Sequence, residues 1–170
     1  MGGRTALIVV VPAAQAIYDA WRERWDPAPG IPAHVTLLFP FRPAALVDGE
    51  LLEELRELFA AFEAFEAEYA EVRRFEKVVW LAPEPAARFV SLTKALLGRY
   101  PEYPPYGDEE IDEIVPHLSI VNRASPELMD EVASALVHKL PLRESVREAT
   151  LLEEDEEGAW HPRARFPLRY

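Results

Sequence analysis

Apolar residues recur along this chain with two alternating periods, and the switches between them mark the elements. Residues 5–11 (TALIVVV) are a continuous apolar run, the pattern of a buried strand. Residues 13–25 change to helical spacing, with Ala16, Ile17, Ala20 and Trp21 on one side. A loop follows at 26–32 (DPAPGIP), then a second strand at 33–39 (AHVTLLF). Leu51, Leu52, Leu55, Leu58, Phe59 and Phe62 give a helix over about 49–62, and 66–75 alternates as a half-exposed strand. The pattern then restarts. Residues 77–82 (KVVWLA) read as a strand, 85–99 as a helix, 100–113 as a Pro- and Tyr-rich loop with an acidic stretch, and 114–121 (IVPHLSIV) as a strand. Ser125-Pro126-Glu127 opens a helix over 126–139, with Ser at the cap and Pro in the first turn. Strands at 145–153 and 159–168 close the chain, paired through the turn Glu156-Glu157-Gly158.

The order strand–helix–strand–helix–strand thus occurs twice, over about 4–76 and 77–154, with one extra strand at the end. A repeat of this kind is a statement about the whole fold. Two related lobes would bring their middle strands to a shared cleft. Those middle strands carry the same pairing of residue types, His34-Val35-Thr36 in the first and His117-Leu118-Ser119 in the second.

Alternate side chains of a strand share a face, so each motif sets an imidazole beside a hydroxyl, with apolar residues behind. Across a cleft this gives two imidazoles and two hydroxyls. The set suits in-line displacement at a phosphodiester. One neutral imidazole takes a proton from the attacking oxygen, while the other, protonated, gives one to the departing oxygen. Histidine serves both roles because its ordinary pKa of about 6.5 leaves both forms populated near neutrality. The hydroxyls can donate to nonbridging phosphate oxygens, and a preorganised donor of that kind is worth about 3 kcal/mol in other enzymes. No metal or other cofactor is required. A single His-x-Ser/Thr in an apolar strand is weak evidence, but two at equivalent places in a repeat are strong. Pseudo-symmetry leaves open which histidine is acid and which is base.

Composition narrows the field. The chain has 170 residues, no cysteine, and a charged fraction of 28% beside a hydrophobic fraction of 49%, as an ordinary globular protein has. Thiolate chemistry, disulfides and cysteine zinc sites are excluded. The lack of cysteine fits a reducing compartment, no apolar run approaches a membrane span, and the expected setting is cytoplasmic. The formal net charge of −12 disfavours a protein that coats long nucleic acid, but permits a small phosphorylated ligand or an RNA end in a locally basic cleft. Seven glycines include no P-loop or dinucleotide pattern, and no His-x-x-x-His spacing supports a metallohydrolase.

On the motifs HVTL at 34–37 and HLSI at 117–120, within PAHVTLLFPF and VPHLSIV, the sequence resembles the two-histidine phosphoesterase superfamily, in its 2′-5′ RNA ligase and cyclic phosphodiesterase branch. The resemblance implies an α+β fold, a duplicated strand–helix–strand–helix–strand repeat forming two antiparallel-sheet lobes around a central cleft, with residues 1–170 as one bilobal domain. The implied activity is opening of 2′,3′-cyclic phosphates of RNA ends or small nucleotides to 2′-phosphates, with reversible 2′-5′ ligation in some members. The alternative is a non-catalytic nucleotide or RNA-end binding module of the same fold. Implied roles are acid and base for His34 and His117 and phosphate ligands for Thr36 and Ser119. Several relatives carry Arg five residues after the second His; here that place is Asn122, and Arg123 follows. In a regular strand Arg123 shares the His117 face and is a candidate phosphate clamp; a bulge would turn it away. The implied partner is a nucleotide or an RNA 2′,3′-cyclic phosphate end, with no membrane and no obligate protein partner.

Three further groups are candidates on residue type. His161, Arg163, Arg165 and Arg169 make a basic face on the last strand, opposite Pro162, Ala164, Phe166, Leu168 and Tyr170. That face is either a solvated sheet surface or a border of the cleft. Arg73, Phe75 and Lys77 form a similar smaller face. Tyr100, Tyr103 and Tyr106 precede the second motif and either stack on a base or cover the cleft edge. His138, at a helix end beside Lys139, reads as structural.

Overall fold

A computed structural model describes residues 3–22, 30–107 and 113–170. Strand β1 (Thr5–Val10) leads through a 3₁₀ turn to helix α1 (Gln15–Arg22), and β2 (His34–Leu38) carries the first motif. Helix α2 (Gly49–Ala60) begins where the Asp48 carboxylate accepts from the Leu51 N–H at 2.8 Å. Strands β3 (Phe65–Phe75) and β4 (Val78–Glu84) form a hairpin, followed by α3 (Ala86–Arg99) and β5 (Leu118–Val121). Helix α4 (Pro126–Leu136) is capped by Ser125, whose hydroxyl accepts from the Leu128 N–H at 3.2 Å. The strands β6 (Leu142–Val146), β7 (Glu148–Glu154) and β8 (Trp160–Pro167) complete the chain.

These strands make two four-stranded antiparallel sheets, in the orders β2-β1-β7-β8 and β5-β4-β3-β6. The α+β class and the two antiparallel sheets are as expected. Membership of the sheets is less simple than one repeat per sheet. The third strand of the first repeat, β3, pairs with β4 and β6, and β7 pairs with β1 and β8. Each half of the chain therefore lends a strand to the other sheet, and both motif strands are left at sheet edges.

Several boundaries differ from the sequence reading. The single strand expected at 145–153 is two, β6 and β7, parted at Arg147 and belonging to different sheets. Val146 and Ala149 are both buried, so the apolar pattern runs through the break without a signal. The strand expected from residue 114 starts at Leu118, after Pro116, which has no N–H to give to a ladder. Helix α4 stops at Leu136 and tightens into a 3₁₀ turn at Val137–Lys139. In α1 the buried residue is Tyr18, whereas Ala16 and Ala20 face solvent. On β8, Phe166 is buried, but Pro162 is exposed and the terminal Tyr170 is 87% exposed. Residues 23–25, most of the 26–32 loop and the acidic stretch up to residue 112 lie outside the described residues.

One continuous core joins the sheets, including Leu7 and Leu38 from the first and Leu81 and Leu118 from the second. Helix α2 turns Leu51, Leu55 and Phe59 inward, and the Phe59 ring stacks on Phe166 of β8 at 5.6 Å. Helix α3 buries Phe89, Leu92 and Leu96, and its buried Thr93 hydroxyl donates to the Leu37 carbonyl of β2 at 2.8 Å. That bond satisfies a carbonyl on an edge strand, where ladder partners run out. Phe59→Ala should cost about 3–5 kcal/mol, because it opens a cavity against a ring with no replacement partner. Urea unfolding checks this; a loss under about 1 kcal/mol would contradict the packing described.

Candidate active site

The geometry that faces the two motif strands toward each other comes from the fold, not from either motif. Among the described residues β2 shares a strand ladder only with β1, and β5 only with β4, with Ile8 opposite Thr36 and Trp80 opposite Ser119. Helix α1 packs against β5, α3 packs against β2, and the two edge strands lie beside one another. Buried Val35 and Leu37 anchor β2, and buried Leu118 and Ile120 anchor β5. The alternate residues, His34 and Thr36 on one strand and Ser119 on the other, with His117 just before it, are only half-buried. All four line one cleft of about 1010 Å3.

The two imidazoles are held by the same local device. His34 Nδ1 lies 2.7 Å from the Pro32 carbonyl oxygen, and His117 Nδ1 lies 2.8 Å from that of Val115. Each ring thus bonds the backbone two residues before it. A carbonyl oxygen only accepts, so Nδ1 carries hydrogen in both rings and Nε2 is the nitrogen left for proton exchange.

The surroundings of the two rings differ. Burial pushes the His34 pKa down to about 4; the Pro32 carbonyl opposes this, and positive charge on Arg22 and on His117 adds to it. Burial also lowers His117, against the Val115 carbonyl. His117 stands edge-on to Phe75 at 5.2 Å and to Trp80 at 5.8 Å. In the free protein both shifts favour the neutral ring.

Arg123 reaches the cleft, but not by strand parity. β5 ends at Val121, and Arg123 adopts the left-handed region with φ 53°, while the next N–H, of Ala124, donates to the Lys77 carbonyl at 3.1 Å. Lys77 is itself left-handed, with φ 62°, and also lines the cleft. Of the three candidate tyrosines only Tyr106 lines it; its phenol is hydrogen-bonded to the Thr36 hydroxyl. Tyr100 is buried, bonding Glu54 at 3.0 Å, and Tyr103 packs its ring on Phe41 at 5.5 Å.

The basic face of β8 does not border this cleft. Its side chains are paired with carboxylates, His161 with Asp155 at 2.7 Å, Arg163 with Glu153 at 2.9 Å and Arg165 with Glu148 at 3.9 Å, and past the strand end Arg169 pairs with Glu63 at 3.3 Å. His138 lies in the 3₁₀ turn after α4, away from the motifs. The sequence reading missed Arg22, which sits in the cleft beside His34 with its guanidinium 4.5 Å from the Tyr18 ring centroid. In sequence it looks like one more charge at a helix end. Among the described residues no three His, Asp or Glu side chains gather as a metal site, and no helix is long and apolar enough to cross a membrane.

Comparison with known proteins bears on this arrangement directly. The model of the 2′-5′ RNA ligase superfamily matches residues 10–158, a span that contains both motifs. The chain belongs to this superfamily of two-histidine phosphoesterases. A Bacillus pumilus (strain SAFR-032) protein with a provisional phosphoesterase name is 27% identical over 155 residues, covering 86% of this chain and 85% of that protein. The crystal structure of E. coli LigT complexed with 3′-AMP superposes with a TM-score of 0.66 at 19% identity, over 100% of both chains. The structure of TT0787 from Thermus thermophilus matches with a TM-score of 0.61 at 19% identity, over 98% of each. At these identities the structural matches speak for the fold.

The tautomer and the depressed pKa values can be read by NMR. Ring nitrogen shifts should show both His34 and His117 as Nδ1–H at pH 7, with His34 titrating near 4 and His117 below its ordinary value. The unfolded chain, with histidine near 6.5, binds more protons than the native one as pH falls toward 4. Stability should therefore rise with pH across that window, with a smaller slope in His34→Asn. An Nε2–H tautomer in either ring would contradict the site as described.

Proposed function

We propose that this chain is a metal-independent phosphodiesterase that opens 2′,3′-cyclic phosphates of RNA ends or small nucleotides to 2′-phosphates. The observation that carries this reading is the matched pair of imidazoles, each tied back through Nδ1 with Nε2 left for the cleft. In the proposed step one Nε2 takes a proton from water as the water oxygen bonds to phosphorus. The P–O3′ bond breaks, and the other imidazolium gives its proton to O3′. The product is a 2′-phosphate with a free 3′-hydroxyl, and the two rings have exchanged protonation states. A ribose 5′-hydroxyl in place of water would form a 2′-5′ linkage by the same proton transfers, the reaction in the superfamily's name. Thr36 and Ser119 supply hydroxyls for the nonbridging oxygens, and Arg123 is a third phosphate ligand on the β5 side. Arg22 and Lys77 add positive charge to a cleft whose acidic members are Glu76 and Glu113.

Low histidine pKa values fit this chemistry only if the substrate helps. In the free protein burial biases both rings toward the neutral form, whereas a bound phosphate favours the charged ring and raises its pKa. Because kcat/KM reports the free enzyme, it should be greatest on the acid side of pH 6.5, between the two histidine titrations, and fall toward neutrality. A maximum above pH 7.5 would show that the depressed values do not govern turnover.

The direct test is incubation with adenosine 2′,3′-cyclic phosphate in excess chelator, followed by phosphorus NMR. Conversion to the 2′-phosphate is expected, and His34→Ala or His117→Ala should each lose about 10²–10⁴-fold. Thr36→Val and Ser119→Ala should lose about 10²-fold or more in kcat. If nucleotide binds but is never turned over, even on short RNAs with cyclic ends, the protein is a binding module that grips phosphate with the same residues. Activity that chelation abolishes would overturn the metal-independent mechanism.

A further inference from the structure

The segments that lead into the two histidines end alike but differ in the residue just before the ring. Before His117 that residue is Pro116; before His34 it is Ala33. Pro116 has no N–H, and its ring fixes its φ, so it leaves no donor to satisfy. Ala33 carries an N–H and is fully buried, so its donor needs a partner.

The strand ladder does not supply one. The register that sets Val10 opposite His34 places Val11 opposite Ala33, and the Val11 N–H donates to the Ala33 carbonyl at 2.8 Å. A hydrogen-bonded antiparallel pair would return that bond to the Val11 carbonyl. The Val11 carbonyl instead accepts from the Ala14 N–H at 3.0 Å, where β1 gives way to the 3₁₀ turn over Pro12–Ala14. The Ala33 N–H turns to α1 and donates to Oε1 of its first residue, Gln15, at 2.9 Å. One helical turn on, Gln15 Nε2 donates to Asp19 Oδ1 at 2.9 Å. A donor on one side and a carboxylate on the other leave the Gln15 amide a single orientation.

The Ala33 N–H belongs to the same peptide unit as the Pro32 carbonyl, whose oxygen lies 2.7 Å from His34 Nδ1. That unit is planar and trans, so its N–H and C=O point in opposite directions and turn together. Gln15 grips one end, and the imidazole bonds the other. We propose that Gln15 is a positioning residue for His34: by holding the N–H of the Pro32–Ala33 peptide it aims the carbonyl at Nδ1, and so keeps Nε2 as the nitrogen that exchanges protons. His117 needs no such residue, because Pro116 stands where Ala33 does. The tautomer follows from hydrogen bonding alone; its consequence for turnover rests on the phosphodiesterase reading above.

The test is ring-nitrogen NMR of Gln15→Met, which keeps the length of the side chain and removes both of its hydrogen bonds. His34 should change from Nδ1–H to a mixture with Nε2–H, while His117 keeps Nδ1–H. The double variant Gln15→Glu/Asp19→Asn exchanges donor and acceptor between the two side chains and still offers an oxygen to the Ala33 N–H, so it should restore the His34 signals. On adenosine 2′,3′-cyclic phosphate, kcat should fall about ten- to a hundredfold in Gln15→Met and recover in the double variant. An unchanged His34 tautomer in Gln15→Met would overturn the proposal. So would an equal shift of both histidines, since the change would then lie in the whole fold. Should Gln15→Met fail to fold, the wild type decides: a scalar coupling across the hydrogen bond should link the Ala33 amide nitrogen to the Gln15 side-chain carbonyl carbon, and its absence overturns the proposal. A mixed His34 tautomer without loss of turnover, or in a protein that turns nothing over, upholds the positioning and counts against the phosphodiesterase reading alone.

Discussion

Each sheet of this protein is completed by a strand from the other half of the chain, and everything at the cleft depends on that exchange. With β3 in the second sheet and β7 in the first, neither half has a complete sheet of its own. The two halves of the chain are thereby joined by main-chain hydrogen bonds, not only by side-chain packing. The exchange also decides which strands are left at the edges. β3 covers one side of β4 and β7 covers one side of β1, so β2 and β5 have a partner on a single side each. An uncovered edge is normally a hazard for association. Here the two edges lie beside each other, α3 supplies a hydroxyl to a β2 carbonyl, and helices from opposite halves cover both.

At such an edge the segment leading into the strand matters as much as the strand. Both histidines follow a turn of chain whose carbonyl, two residues earlier, points back at the ring. Proline stands in each of these lead-in segments, Pro32 before Ala33-His34 and Pro116 directly before His117. It removes an N–H that would need a ladder partner and restricts the backbone leading to the ring. The fixed tautomer is therefore a property of the lead-in segments, repeated in both halves. The asymmetry between the rings comes from what packs on them, Arg22 near the first and the Phe75–Trp80 pair beside the second.

Much of this was legible in the sequence, for identifiable reasons. The motifs were visible because a His and a hydroxyl two residues apart in an apolar run have one evident geometric meaning, and the run occurs twice. The helices were visible because Leu51, Leu55 and Phe59, or Phe89, Leu92 and Leu96, keep helical spacing. What was not legible depends on long-range pairing. Nothing between Val146 and Ala149 marks the passage from one sheet to the other, because both sides of Arg147 carry apolar residues that are buried. Arg123 lies in the cleft for a reason strand parity does not carry, since parity cannot foresee a left-handed residue just past the strand end. Arg22 gave no signal, because its neighbour His34 comes from another element. The β8 arginines left two readings open, and the structure gives the solvated sheet surface: β7 places glutamates opposite the basic stripe.

That last point bears on what kind of phosphate compound the proposed site can accept. With a formal charge of −12, the average field around the protein repels polyanions. The arginines of β8 and Arg169 beyond it do little against it, since Glu153, Glu148 and Glu63 stand beside them. The cleft gathers Arg22, Lys77 and Arg123 against Glu76 and Glu113, so among its described residues the formal balance is positive. Field lines from such a cluster are focused by low-dielectric walls, so its attraction acts at short range and inside the cleft. A single phosphate with one nucleoside attached gains this attraction in full. A long strand gains it once, at its end, and meets repulsion along the remainder. For the proposed function, this charge distribution would favour small nucleotides or termini by the same means that makes the rest of the surface unreceptive.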